Sequence, residues 1–215
     1  RAEADVLGGN EARGAPIEPR GPVKRRRFRF SLRGREVVLG ERTWVMGVLN
    51  VTPDSFSDGG LFAQRDAAVA HGLALFEAGA DLVDVGGEAT RPAGAARIDA
   101  AEERRRVVPV IEELLRRGAG PISIDTTKAV VAEAALDAGA DMVNDVSGFR
   151  FDPDLAGLVA ARGVPAVLMH LRGDFAEMHQ EPAYADVMGE VVAELGECVA
   201  TAELAGVPRG RVIVD

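Results

Sequence analysis

Six polar residues stand at the ends of short apolar runs in this chain: Asn50, Asp84, Asp125, Asn144, His170 and Asp215. Carboxylates that only accept hydrogen bonds, beside an amide that both donates and accepts, suit a flat heterocycle with several N–H groups. A guanidine-like aminopyrimidine has that pattern, and Asp125, Asn144 and Asp215 are the residues to meet it. A helix N-cap is the other ordinary use of such an aspartate, and Asp125, followed by Thr126 and Thr127, stays open to it. Histidine offers little for metal chemistry, since His71 and His179 lack ligand spacing and His170 stands alone. No Ser/His/Asp or Cys/His arrangement presents a nucleophile, and Cys198 falls in mid-helix. What remains is catalysis by positioning and electrostatics, without a covalent intermediate.

Two loops carry further chemistry. From Val48 to Gly60 an apolar strand delivers Asn50, and the loop behind it holds Asp54, Asp58, Thr52, Ser55, Ser57 and the ring of Phe56. Pro53 keeps Thr52 out of helical geometry, and Gly59-Gly60 frees the backbone at the far end. Loops with chemistry sit at strand ends of this kind. The second loop, Gly86-Gly87-Glu88-Ala89-Thr90-Arg91-Pro92-Ala93-Gly94, combines glycines that let backbone approach a ligand with a fixed cation, Arg91. Such an arginine suits a phosphate or carboxylate. A salt bridge to Glu88 or Asp58 is its alternative use.

Positioning these residues requires a repeating scaffold, and the sequence has one. From Trp44 onward each unit is an apolar run with a polar end, a Gly- or Pro-bearing loop, and an amphipathic helix. Strands are predicted at Val45–Asn50, Leu82–Gly87, Ile122–Asp125, Met142–Val146, Ala166–His170 and Val212–Asp215. Helices are predicted at Asp66–Ala78, Asp99–Arg117, Lys128–Ala138, Pro153–Arg162 and Tyr184–Ala205, with Gly79, Gly118, Gly139, Gly163 and Gly206 ending them. Alternating strands and helices mean right-handed βαβ units and a parallel sheet. Ala78-Gly79-Ala80-Asp81-Leu82-Val83-Asp84 repeats as Ala138-Gly139-Ala140-Asp141-Met142-Val143-Asn144, so strands two units apart present Asp84 and Asn144 alike. Polar tips on every strand, with alternate strands equivalent, are the pattern of an α/β (β/α)8 TIM barrel. A doubly wound sheet would bind at one switch point. The expectation is a barrel domain over residues 24–215, with six of its strands visible and the last two beyond Asp215. Ahead of it, Phe28, Phe30 and Leu32 alternate with arginines and turn at Arg33-Gly34 into Glu36–Leu39, a β-hairpin placed to close the barrel's bottom. Residues 1–23 are Gly-, Pro- and charge-rich without periodicity and are expected to be disordered.

Composition narrows the function classes. The 215 residues, 47% hydrophobic and 27% charged, fit one globular domain. A net charge of -9 argues against nucleic acid as a partner. One cysteine allows no internal disulfide, which suits a reducing compartment, and no apolar run reaches the roughly 18 residues of a membrane span. The expected location is the cytoplasm.

The stretch Met46-Gly47-Val48-Leu49-Asn50-Val51-Thr52-Pro53-Asp54-Ser55-Phe56-Ser57-Asp58-Gly59-Gly60 closely resembles a signature of the dihydropteroate synthase family. So does Asp84-Val85-Gly86-Gly87-Glu88-Ala89-Thr90-Arg91-Pro92, apart from Ala89 where the family usually has Ser. Ile122-Ser123-Ile124-Asp125-Thr126, Val143-Asn144-Asp145, Met169-His170 and Val212-Ile213-Val214-Asp215 also match, so the resemblance runs from about Phe28 to the end. It implies a transferase of folate biosynthesis that joins 6-hydroxymethyl-7,8-dihydropterin diphosphate to 4-aminobenzoate, giving 7,8-dihydropteroate and pyrophosphate, and that sulfonamides would inhibit. Asp125, Asn144 and Asp215 would hold the pterin, with Met169 against its ring. Asn50 would touch Mg²⁺ and the pyrophosphate, while Phe56, Thr90, Arg91 and Pro92 would shape the aminobenzoate site. Asn50, Asp58 and Asp125 would be the catalytic group, in a dissociative reaction with no protein nucleophile. The family forms homodimers. Its pterin-contacting Lys and its Arg-x-His pair are expected beyond Asp215. Two other classes share the barrel: a pterin-binding domain that serves methyl transfer, which would lack both loop signatures, and a non-catalytic paralogue or partner subunit.

Overall fold

The computed structural model describes residues 26–32, 34–52, 60–88, 97–173 and 183–215. The expectation for residues 1–23 lies outside them. Strands β1 (Phe28–Leu32) and β2 (Arg35–Leu39) pair antiparallel, with Leu32 opposite Arg35 and Gly34 supplying the positive φ of the turn. The other strands, β3 (Met46–Asn50), β4 (Leu82–Gly86), β5 (Ile122–Asp125), β6 (Met142–Asp145), β7 (Ala166–Leu168) and β8 (Val212–Val214), form one parallel sheet. Helices α1 (Gly60–Glu77), α2 (Ala100–Arg116), α3 (Ala129–Asp137), α4 (Pro153–Arg162) and α5 (Val187–Leu204) alternate with them.

The six strands lie in chain order, each paired with its sequence neighbour. A doubly wound sheet reverses its order at a switch point, and this one does not, so the wall is that of a TIM barrel. Side chains alternate between its faces. Leu49, Val83, Val85, Ile122, Ile124, Val143 and Leu168 point outward into a core completed by Val107, Ile111 and Leu114 of α2 and by Leu155 and Val159 of α4. On the inner face, Leu82, Met142 and Val167 meet Leu32, with Phe30, Val37, Trp44, Met46 and Ile213 around them. Leu82 and Met142 open their strands, so the hairpin plugs the N-terminal end of the barrel, as its alternation predicted. The C-terminal end is left for polar tips.

Helix α1 begins at Gly60, more than a turn before the predicted Asp66. The residues from Leu61 to Arg65 are mostly good helix formers, and a glycine at a helix start costs less than one in the interior. Helix α5 starts at Val187 because Asp186 caps it, accepting from Gly189 N at 3.1 Å. No helix of the described residues is long and apolar enough to cross a membrane.

Candidate active site

Asn50, Gly86, Asp125 and Asn144 are successive partners across β3, β4, β5 and β6. One row at the strands' C-terminal ends therefore reads amide, bare backbone, carboxylate, amide. A Cβ on Gly86 would lie 3.2 Å from Asp125 Oδ2 and 3.6 Å from Asn50 Oδ1. A glycine there leaves both oxygens free to face a common ligand.

The layer beneath fixes the amide of Asn144. Asn144 Nδ2 donates to Asp84 Oδ2 at 2.8 Å, and Ser123 Oγ donates to Asp84 Oδ1. The two repeat-related residues thus meet across β5. With Nδ2 committed to a carboxylate, Asn144 turns its carbonyl oxygen away from Asp84 as a further acceptor. Burial pushes the Asp84 carboxyl up from its ordinary value, against the two hydrogen bonds that hold it down. Asn144 and Asp215 border a cavity of about 280 Å³ whose other walls include Met46, Leu82, Met142, Val167 and Ile213. An apolar chamber with a few convergent polar groups is the usual form of a small-ligand site.

Asp125 is the unsatisfied member. Its carboxyl carries no hydrogen bond among the described residues. Burial first, and then the charges of Asp84, Glu103, Asp145 and Glu88, push it well above the ordinary carboxylate range. The capping alternative fails on geometry. Ala129 N, at the start of α3, donates to Asp152 Oδ2 at 2.7 Å, and Lys128 N donates to Thr126 Oγ1 at 3.2 Å. A half-buried carboxyl on the inner face, with no donor among the described residues, is a candidate ligand contact.

Other predicted positions fall out as follows. Met169 follows β7, where alternation from Val167 turns it to the inner face, and its N–H donates to Asp145 O at 3.2 Å. Asp215 is joined to the sheet through its N–H to Leu168 O at 3.0 Å and its carbonyl to His170 N at 2.8 Å. The His170 ring pairs with Glu194 at 2.7 Å, a structural role. Phe56 and Asp58, and likewise Thr90, Arg91 and Pro92, lie outside the described residues. Glu88, the alternative partner weighed for Arg91, is engaged by Lys128 Nζ at 2.6 Å and Ile98 N at 3.1 Å.

Sequence reasoning passed over Ser123, which supports Asp84, and Lys128 and Glu103, which lie beside the site. The repeat aligning Asp84 with Asn144 signalled the inner layer. Nothing signalled Glu103, which looks like a solvated first-turn acid yet is 1% exposed.

Residues 46–215 match the family described as pterin binding enzyme. A dihydropteroate synthase of Mycobacterium leprae is 54% identical over 172 residues, covering 80% of this chain and 60% of that protein. Among solved structures, Xanthomonas albilineans dihydropteroate synthase with 4-aminobenzoic acid superposes with a TM-score of 0.80 at 49% identity, covering 88% of this chain and 66% of that one. Yersinia pestis dihydropteroate synthase in a sulfonamide drug complex gives 0.78 at 39% identity, covering 87% and 67%. This chain spans about three fifths of the length of curated dihydropteroate synthases such as those of Mycobacterium leprae, Synechocystis sp. and Bacillus subtilis. It belongs to the pterin binding enzyme family.

Proposed function

We propose that this protein is a dihydropteroate synthase, joining 6-hydroxymethyl-7,8-dihydropterin diphosphate to 4-aminobenzoate with release of pyrophosphate. The observation that carries this is the half-buried carboxyl of Asp125, without a donor among the described residues, in one row with Asn50 and with Asn144, which borders an apolar chamber together with Asp215. Pterin N–H groups donate to Asp125, to the carbonyl of Asn144 and to Asp215, replacing with donors the water that burial removes. Met169 lies against the ring. The methylene C–O bond to the diphosphate breaks with both electrons leaving on pyrophosphate. The amine lone pair of 4-aminobenzoate then forms the C–N bond and an N–H proton is released. Positive charge grows on the pterin in the transition state, where the ionised Asp125 stabilises it from a site sheltered from water. Phe56, Asp58, Thr90, Arg91 and Pro92 belong to the amine side of this site, where a sulfonamide would compete.

Mg²⁺ fits the donor chemistry here. Asn50 offers one hard amide oxygen at the strand tip, and no group of three His, Cys, Asp or Glu among the described residues could build an all-protein cage. Magnesium bound through few protein ligands takes the rest from phosphate and water, and when bound it neutralises charge on the leaving pyrophosphate. The protein acts in the cytoplasm as a homodimer.

The test is to supply the full-length gene product with pterin diphosphate, 4-aminobenzoate and Mg²⁺. Dihydropteroate and pyrophosphate should appear in equal amounts. Pterin binding by calorimetry without product would instead mark a non-catalytic binding protein. Absence of both binding and product would overturn the proposal.

A further inference from the structure

Behind Asp125 lies a cluster that the pterin site does not use. Lys128 Nζ donates to Glu88 at 2.6 Å and to Glu103 at 2.5 Å. Glu103 is 1% exposed, and Lys128 and Glu88 are themselves largely covered. The three come from different places: Glu88 lies two residues past the end of β4, Glu103 lies in the first turn of α2, and Lys128 stands at the N-cap of α3. Lys128 uses no side chain to cap that helix, so its ammonium is turned wholly to this cluster.

The placement of Glu88 gives the cluster a purpose. Its other carboxylate oxygen accepts from Ile98 N at 3.1 Å and lies 3.8 Å from Arg97 Nε. Glu88 and Ile98 are the two ends of the connection between β4 and α2. One carboxylate therefore joins both ends, and Lys128 holds that carboxylate in place from the neighbouring unit. Arg106 adds a second hold on the same backbone, donating to Gly87 O at 3.0 Å. A lone glutamate bridging a backbone amide has several rotamers to choose from. One whose second oxygen is fixed by a buried ammonium has fewer, and a charge-assisted bond is the stronger kind.

We propose that Lys128 is a positioning residue: through Glu88 it fixes Ile98 just past the end of β4 and so ties together the two ends of the β4–α2 connection. On the function proposed above, that connection serves the amine rather than the pterin. Lys128 then governs 4-aminobenzoate affinity and leaves pterin affinity to Asp125, Asn144 and Asp215. A residue needed only for stability would shift neither substrate selectively.

The experiment compares wild type with Lys128→Met, Lys128→Arg and Glu88→Gln in the full-length gene product. The first measurement is amide hydrogen exchange at Ile98, which needs no substrate. It should accelerate by roughly 10-fold or more in Lys128→Met and Glu88→Gln, while Val83 and Val85 in β4 keep their protection. The second is steady-state kinetics. KM for 4-aminobenzoate should rise by about 10-fold with KM for the pterin diphosphate changed by less than about twofold, and Lys128→Arg should recover most of the loss. Glu88→Gln keeps the shape and removes one buried charge, so it serves if Lys128→Met does not fold. Ile98 exchange as slow as wild type in Glu88→Gln, or both KM values rising together, would overturn the proposal. A wild type that makes no dihydropteroate would instead sink the function proposed above, while Ile98 exchange would still test the tie.

Discussion

Two aspartates on opposite faces of the parallel sheet, Asp145 and Asp125, differ in what their carboxyls meet. Asp145 lies on the outer face, is 0% exposed, and accepts from Ser147 N at 2.8 Å, Ser147 Oγ at 3.0 Å and Phe149 N at 2.7 Å. Asp125 lies on the inner face, is only half-buried, and its carboxyl has no donor among the described residues. Burial raises both carboxyls, but the Ser147 and Phe149 bonds pull Asp145 back down, whereas neighbouring acids push Asp125 further up. One carboxylate is spent on the fold, holding the β6–α4 loop in a shape that puts Phe149 at a φ of 66. The other is left without a donor among the described residues. Satisfaction by donors separates the acid spent on the fold from the one that, on the function proposed above, meets the ligand.

The largest effect should come from breaking the structural member. Asp145→Ala leaves two buried N–H groups and a hydroxyl without their acceptor, and frees Phe149, the one non-glycine residue with a positive φ among the described ones. Unfolding in urea should show a loss of about 3–5 kcal/mol, with Asp145→Asn losing less because an amide oxygen still accepts. Pterin affinity of the folded protein should change by less than about threefold. A stable Asp145→Ala protein that no longer binds pterin would reverse the roles assigned to the two aspartates.

Asp125→Asn should do the opposite. Loss of a charge-assisted contact of roughly 1.5–3 kcal/mol should weaken pterin binding by about 10- to 150-fold. The melting temperature without ligand should hold or rise, since the folded state no longer carries a poorly solvated charge. The sign follows from linkage. Asp125 has a folded pKa above its ordinary 3.8, so between those two values the folded state binds more protons than the unfolded one. Its contribution to stability therefore falls as pH rises through that window, and the asparagine variant loses that slope. Pterin affinity of the wild type should rise with pH across the upper part of the same window, because N–H donors favour the ionised carboxylate. Calorimetry across pH checks this. A flat wild-type profile, or a drop in melting temperature for Asp125→Asn, would place Asp125 among the structural acids.

Much of this contrast was legible in the sequence. Short apolar runs with polar tips located every strand of the sheet to within a few residues, and the repeated Ala-Gly-Ala-Asp pattern pointed to a barrel with Asp84 and Asn144 alike. The hairpin's alternation placed it as a plug, and Leu32 meets the openings of β4 and β6. Asp125 was legible as a candidate, but whether it capped α3 depended on Asp152, a residue 23 positions from the amide it serves. The Lys128 cluster was hidden for the same reason. Its partners lie 40 and 25 positions away, and a charged residue at a helix start ordinarily faces solvent. Helical and strand periodicity reports which face a residue occupies. It does not report which distant charge shares that face.

The smallest effect, and the sharpest on the inner layer, should come from Ser123→Ala. Ser123 Oγ and Asn144 Nδ2 are the two donors on Asp84, and together they oppose the upward push of burial. Removing the hydroxyl should cost about 1 kcal/mol of stability, the net value of one such bond. Its second consequence is chemical. With one donor gone, Asp84 takes up a proton more readily, and a protonated Asp84 can donate to the carbonyl of Asn144 in place of accepting from its amide N–H. The amide then turns, offering donors where the pterin also has donors. Pterin affinity should fall by about 3- to 5-fold near neutral pH, on the order of 1 kcal/mol, and recover as pH rises and Asp84 ionises again. The wild-type gain with pH expected from Asp125 should be visibly steeper in this variant. Equal affinity and equal slope in both proteins would show that Asp84 holds Asn144 without help, and that Ser123 serves packing alone.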